Sequence, residues 1–234
     1  MLSTPNPLSN ALLASLPTEV IDALSPQLEW IAMPLGSSLY RSNELIKHAY
    51  FPCTSIVSLH YTTISGDSPE SASVGCEGIV GTPIFMGAAS TLGSAMVHIG
   101  GHGFRIDRRT LQREFERSVP MQRVLLRYTQ SLMEQIALTA TCYRYQTVEQ
   151  KLSRWLLTTL DRMPGKELVM TQELLASLLG VRRESITQAA GNLRDLGHIS
   201  YRRGHISVLN VSGLRRSASE RYGAEQHEPQ RMAA

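Results

Sequence analysis

The chain changes its hydrophobic rhythm twice. In Ser94–Ile99, Ala95, Val97 and Ile99 alternate with Met96 and His98, the period of two that gives a strand two distinct faces. Ser55–Ile64 is a second β-favouring run, closed by the turn Ser65-Gly66-Asp67, as Gly100-Gly101 closes the first. Nine of the 17 glycines fall between Gly66 and Gly103. Short strands separated by glycine turns predict a sandwich or small barrel over about residues 30–106. A short helical preface, roughly Leu8–Leu24, precedes it.

From Phe104 to Pro164 glycine is absent and the period lengthens. Pro120 suits the first turn of a helix. Leu125, Tyr128, Leu132, Gln135, Thr139 and Cys142 follow at alternating spacings of three and four, with Ile136 and Leu138 beside them. The pattern predicts one long amphipathic helix. Leu125, Tyr128, Leu132 and Ile136 are the candidate seam for the helix of a second copy. The alternative is that this stripe packs on the chain's own sandwich. Thr147 then caps a helix whose apolar face is Val148, Leu152, Trp155, Leu156 and Leu160. Trp155 belongs to a core there, and Met163-Pro164-Gly165 ends the helix.

The densest pattern is Thr171–Leu196. Thr171 is a helix cap, and Glu173 places an acid in the first turn. Counted from Gln172 as the first position of a helix-turn-helix, the fifth is Ala176, the ninth Gly180 and the fifteenth Ile186. A small residue lets the second helix cross closely, a glycine takes the positive φ of a tight turn, and an apolar residue plugs the angle between helices. Leu175, Leu179, Val181 and Ala189 complete the apolar set. A helical hairpin with no DNA role is the alternative. The second helix starts polar, Arg182-Arg183-Glu184-Ser185, where side chains of such a motif meet base edges. Arg can take both acceptors of guanine, and Glu can accept from cytosine N4. Two arginines at the positive end of a helix dipole repel it, and an external anion would relieve that conflict. His198–Tyr201, a turn at Arg202-Arg203-Gly204 and His205–Leu209 predict a β-hairpin with a basic tip, a wing against the phosphate backbone.

Composition narrows the classes. With 234 residues, 42% hydrophobic and only 6% aromatic, the chain can build one or two aliphatic cores. No apolar run approaches the roughly 18 residues of a membrane span. Met1–Val20 has three prolines and no basic residue, unlike a secretory or transit signal. Cys53, Cys76 and Cys142 are too few and too widely spaced for a disulfide framework, which fits a reducing cytoplasm. The formal net charge of +3 hides a gradient: residues 147–234 carry 13 basic and 9 acidic side chains. A basic module on a neutral chain fits an anionic partner such as nucleic acid, and equally a solvated surface.

The order of sandwich, long helix and winged helix-turn-helix resembles the Crp/Fnr transcription regulators over nearly the whole chain. The specific parts are Thr147-Val148-Glu149-Gln150-Lys151-Leu152-Ser153-Arg154-Trp155-Leu156-Leu157, and Met170-Thr171-Gln172-Glu173-Leu174-Leu175-Ala176 running to Arg182-Arg183-Glu184-Ser185. Cys76-Glu77-Gly78-Ile79-Val80-Gly81 in the sandwich is also family-like. The resemblance implies a homodimeric DNA-binding regulator with a cyclic-nucleotide-binding-like β-roll. It implies that Arg183, Glu184 and Gln188 occupy base-reading positions, and that Thr171 and Gln172 touch phosphate. Arg182, Arg202 and Arg203 are then placed for phosphates.

Departures from the family pattern carry equal weight. Members that bind cyclic nucleotides have a Gly-Glu-Leu stretch and an Arg that clamps the cyclic phosphate. Here Gly93 stands where that Arg would be, and Glu77-Gly78-Ile79 differs in order. Cyclic AMP in the usual mode is not expected; another nucleotide second messenger is the alternative effector. The cysteines do not form the close N-terminal cluster of iron–sulfur members. His98 and His102 lack the later carboxylate of a cupin-like metal site, and His48 and His60 are weaker still as haem ligands. No Gly-x-Ser-x-Gly, phosphate-cradling loop or His-Glu-x-x-His supports an enzyme.

The expected fold is therefore α+β: a β-roll or jelly-roll sensor domain over 1–118, a dimerisation helix and hinge over 119–146, and a winged helix-turn-helix domain over 147–234. The expected partners are a palindromic double-stranded operator, a second copy, and RNA polymerase for an activator. No membrane, cofactor or metal is expected. A β-roll metal sensor or enzyme with an appended DNA-binding domain is the reading from another class.

Overall fold

A computed structural model describes residues 5–64, 66, 68–163, 167–202 and 204–218. The chain divides into two compact units. One comprises the described residues up to Leu59 with Ala72–Glu134, and the other the described residues of 60–71 and 135–218.

In the first unit the helical preface is broken. A 3-10 turn at Pro7–Ser9, α1 (Ala11–Ala14) and α2 (Thr18–Leu24) replace one continuous helix, because Pro17 precedes the last of them. Asn10 ties the preface to the roll. Its side-chain oxygen accepts from the Leu13 amide at 3.0 Å, and its side-chain nitrogen donates to the carbonyls of Pro52 at 2.8 Å and Gly78 at 2.9 Å.

Seven strands follow: β1 (Glu29–Met33), β2 (Ser38–Tyr40), β3 (His48–Pro52), β4 (Ile56–His60), β5 (Glu70–Val74), β6 (Ser94–Ile99) and β7 (Gly101–Asp107). They form two sheets, ordered β1-β7-β3 and β2-β6-β4-β5. β7 is antiparallel to both neighbours, with Phe104 opposite Trp30 and Phe51. Gly103 is required at that crossing, since a Cβ there would stand 2.6 Å from the Phe51 carbonyl oxygen. Met33, Phe51, Ile56, Val57, Val74, Ile84, Ala95, Val97 and Ile106 are buried, an aliphatic core as the composition requires. Ala95 and Val97 alternate with Met96, but His98 is buried too, in contact with Ser58. β4 stops at His60, short of the expected Ile64.

Asp107 caps α3 (Arg108–Arg117), a helix the spacing did not separate from its successor. After Ser118 comes α4 (Val119–Tyr145), the long helix, starting within a residue of the expected Pro120. The two units divide within α4, between Glu134 and Gln135.

The second unit contains α5 (Val148–Asp161), β8 (Glu167–Val169), α6 (Gln172–Leu179), α7 (Arg183–Asp195), β9 (Ile199–Arg202), β10 (His205–Val208) and α8 (Val211–Ser217). The three strands pair in the order β8-β10-β9. α5 starts in a capping box: the Thr147 hydroxyl accepts from the Gln150 amide at 3.2 Å, and the Gln150 side chain accepts from the Thr147 amide at 3.0 Å. Trp155 is buried with Leu152, Leu156 and Leu157, a core residue as expected.

Candidate nucleic-acid interface

Every residue assigned to the helix-turn-helix framework stands where the spacing put it. The Thr171 hydroxyl caps α6 by accepting from the Leu174 amide at 3.2 Å. Gly180 ends α6 in the left-handed region at φ +61°, which lets the chain turn at once into α7. Leu175, Leu179, Ile186, Ala189 and Leu193 are buried, so the two helices share one apolar angle. That packing fixes which side of α7 faces outward.

The outward side is polar. Arg182, Arg183, Glu184 and Gln188 are exposed, and Ser185 is half-buried. α7 begins one residue later than expected, with Arg182 as its cap residue and no side chain bonded to the first-turn amides. Those amides therefore keep their partial positive charge, with two guanidinium groups beside it. The contact of Arg183 with Glu173 spans 4.0 Å between two well-exposed side chains and holds Arg183 only weakly. The guanidinium stays available to another partner.

The hairpin pairs Arg202 with His205 and Ile199 with Val208. Arg202 thus sits at the end of β9 and not in the turn. Gly204 takes the positive φ there, at +83°. Arg203 lies outside the described residues. The hairpin is anchored to the start of α6: the Met170 amide donates to the Gly204 carbonyl at 2.6 Å, and the Tyr201 hydroxyl donates to the Met170 carbonyl at 3.0 Å. Burial pushes the Tyr201 phenol above its usual pKa. The wing and the recognition helix therefore share an open groove lined by Thr171, Gln172, Arg183, Tyr201 and Gly204.

One groove residue, Tyr201, and one that holds a groove residue in place, Thr187, were not foreseen. The Thr187 hydroxyl donates to the Gln172 side chain at 2.8 Å, which fixes Gln172 at the groove edge. Tyr201 read only as a strand residue. Thr187 had a legible signal, lying four residues after Arg183 on the same helix face.

The candidate seam on α4 requires correction. Leu125, Tyr128 and Leu132 are 0%, 4% and 7% exposed within the single chain, and Ile136 is half-buried. Tyr128 packs over Gly78, where an added Cβ would overlap its ring. This stripe is the face that α4 turns to its own chain. The apolar side chains left in solvent on α4 are Val119, Leu126 and Met133, the last two 52% and 58% exposed. With exposed Ala140 they recur every seven residues.

His98 and His102 do not converge. His98 is buried beside Ser58, whereas His102 stacks on the exposed ring of Trp30 with centroids 5.4 Å apart. Among the described residues no group of three His, Cys, Asp or Glu side chains is placed to hold a metal ion. Among them, too, no helix is long and apolar enough to cross a membrane.

Residues 150–217 match the family model of the Crp-like helix-turn-helix domain. No curated protein matches the chain. Solved structures with the same fold include FixK2 from Bradyrhizobium japonicum, at 15% identity and TM-score 0.68, covering 82% of this chain and 98% of that one. A CRP-family transcriptional regulator from Thermus thermophilus matches at 14% identity and TM-score 0.67, over 80% of this chain and 96% of that one. The c-di-GMP-responsive global regulator CLP from Xanthomonas campestris matches at 15% identity and TM-score 0.64, over 82% and 99%.

Proposed function

We propose that this chain, of the Crp/Fnr type in its fold and in the domain of residues 150–217, is a cytoplasmic transcription regulator that binds a palindromic operator as a homodimer. The observation that carries the reading is the groove between α7 and the hairpin. It joins an uncapped helix start, two exposed arginines and an anchored wing on one face. Arg183, Glu184 and Gln188 lie toward base edges in the major groove. Thr171, Gln172, Arg182 and Arg202 meet phosphates, a role that Arg203 takes by its sequence position, with Ser185 at the margin between the two sets. Residues 1–118 act as the sensor, 119–146 as the helix and hinge, and 147–234 as the DNA-binding domain. RNA polymerase is the further partner if the protein activates.

The homodimer forms along α4 through Val119, Leu126, Met133 and Ala140, whose spacing of seven suits a helix pair. Cyclic AMP is not the effector, because Gly93 offers no charge to a cyclic phosphate. The reading contains no catalytic step.

Binding-site selection with wild type, Arg183→Ala, Glu184→Ala and Arg202→Ala, repeated over a salt series, tests it. Arg183→Ala and Glu184→Ala should cost about 1–3 kcal/mol per half-site and relax preference at one base pair. Arg202→Ala should weaken all sequences alike and reduce the salt slope by about one unit. A change of base preference in Arg202→Ala alone would mean that the helix does not lie in the groove.

A further inference from the structure

Two cysteines 23 positions apart in sequence lie on neighbouring segments of the first unit. Cys53 follows β3, and Cys76 lies in the turn closed by the Gly78 amide on the Gly75 carbonyl at 3.3 Å. The two segments run antiparallel. Tyr50 and Val80 exchange both backbone hydrogen bonds, at 2.9 and 2.8 Å. Farther along, the carbonyls of Pro52 and Gly78 converge on the one side-chain nitrogen of Asn10. Continued outward, this register sets Cys53 beside the turn that contains Cys76. Counted on from Tyr50–Val80, it sets Glu77 opposite Cys53 and Cys76 one residue away, and the Ala11 amide, next to Asn10, donates to the Cys76 carbonyl at 2.6 Å. In keeping with that closeness, a thiolate at Cys76 would raise the Cys53 pKa. Both residues stand as thiols, Cys53 buried and Cys76 half-buried.

We propose that Cys53 and Cys76 form a dithiol site that a peroxide oxidises to an intramolecular disulfide. The half-buried Cys76 thiolate attacks the peroxide O–O bond. This gives a sulfenic acid and, for hydrogen peroxide, releases one water after proton transfer. The Cys53 sulfur then attacks the Cys76 sulfur. The S–S bond forms as the S–O bond breaks, and the hydroxide leaves with the Cys53 proton as a second water. Two thiols are oxidised and one peroxide is reduced. Cys53 serves as the resolving thiol because it is shielded from the oxidant but adjoins the turn. The bond would fix the Gly75–Gly78 turn to β3, directly under Tyr128 of α4.

The test treats the folded full chain with stoichiometric hydrogen peroxide, blocks remaining thiols and cleaves after glutamate without reductant. Cleavage at Glu44, Glu70 and Glu77 separates Leu45–Glu70 from Ser71–Glu77, so the disulfide appears as one linked peptide that reductant splits. Cys142 should remain alkylatable. Cys53→Ser should stop Cys76 at sulfenic acid, trapped by dimedone, or carry it on to sulfinic acid. Cys76→Ser should leave Cys53 reduced at the same dose. The proposal fails if folded wild type gives no linked peptide while Cys76 over-oxidises as fast as in Cys53→Ser. It fails equally if the link forms only in denaturant.

Discussion

Substitutions on the two faces of α4 separate self-packing from pairing. Leu132 is 7% exposed, so Leu132→Glu places a carboxylate inside the single chain. An unpaired buried charge costs several kcal/mol, a large part of the about 5–15 kcal/mol that holds a protein folded. The thermal transition should fall steeply, and any change in assembly would be secondary. Met133 is 58% exposed, so Met133→Glu should change monomer stability by no more than about 0.5 kcal/mol. Full burial of such a side chain is worth about 1.5–3 kcal/mol, and pairing buries only the exposed half. With two copies at a symmetric interface, about 2 kcal/mol is lost. Two carboxylates brought together add about 1 kcal/mol more. A total of about 3 kcal/mol weakens the dimer by roughly two orders of magnitude. Leu126→Glu should act alike. Sedimentation at micromolar protein, with circular dichroism melting on the same samples, reads both quantities. A Met133→Glu protein that stays dimeric at unchanged affinity, beside a folded monomeric Leu132→Glu protein, would show that the inner stripe is the seam after all.

Three further outcomes follow from the geometry. Gly78→Ala should destabilise the first unit by about 1–3 kcal/mol through overlap with the Tyr128 ring, and much less in a Tyr128→Ala background, a non-additivity that a double-mutant cycle by chemical denaturation measures. Thr171→Ala removes the cap of α6 and should cost about 1 kcal/mol in melting experiments, while also weakening operator binding if this hydroxyl meets phosphate. Burial pushes the Cys53 thiol up to about 11 from 9.0, so the unfolded chain releases this proton at lower pH than the folded chain. Stability should therefore fall as pH rises from about 9 to 11, and Cys53→Ser should flatten that part of the denaturation profile.

Much of the helix-turn-helix unit was legible because local chemistry decides it. Gly180 has to accept a positive φ, Ala176 and Ile186 have to fit between two helices, and Thr171 has to cap the first of them. Each demand falls on one residue type at one position, so spacing alone carries the motif. The hairpin was legible for the same reason, with Gly204 at positive φ in its turn, although Arg202 proved to belong to the strand. Tyr201 was missed as a groove residue because its placement depends on Met170, 31 positions away, through a hydrogen bond that no local pattern encodes. The roll was legible as strands and glycine turns. Its division into two sheets was not, since strand order depends on long-range pairing.

The misread seam on α4 has a different cause. A stripe at three- and four-residue spacing states that one helix face is apolar, not what covers it. α4 carries two such faces. The Leu125–Tyr128–Leu132 stripe is the more continuous because it meets a broad surface of its own chain. The Leu126–Met133 stripe is sparse, with Arg123 and Gln130 between its apolar positions. A helix-pair seam needs only the narrow line of every first and fourth residue in seven, so polar side chains beside it can stay solvated. The richer stripe therefore marks the face that packs against the chain itself, and the leaner one is the seam proposed for a second copy. The same logic applies to α7. Its buried face, Ile186, Ala189 and Leu193, is fixed by the helix-turn-helix core, so Arg183, Glu184 and Gln188 are held outward by packing rather than by any bond of their own. Side chains held in that way are free to exchange water for base edges at little structural cost, whereas Gln172, restrained by Thr187, is better suited to fixing one backbone contact.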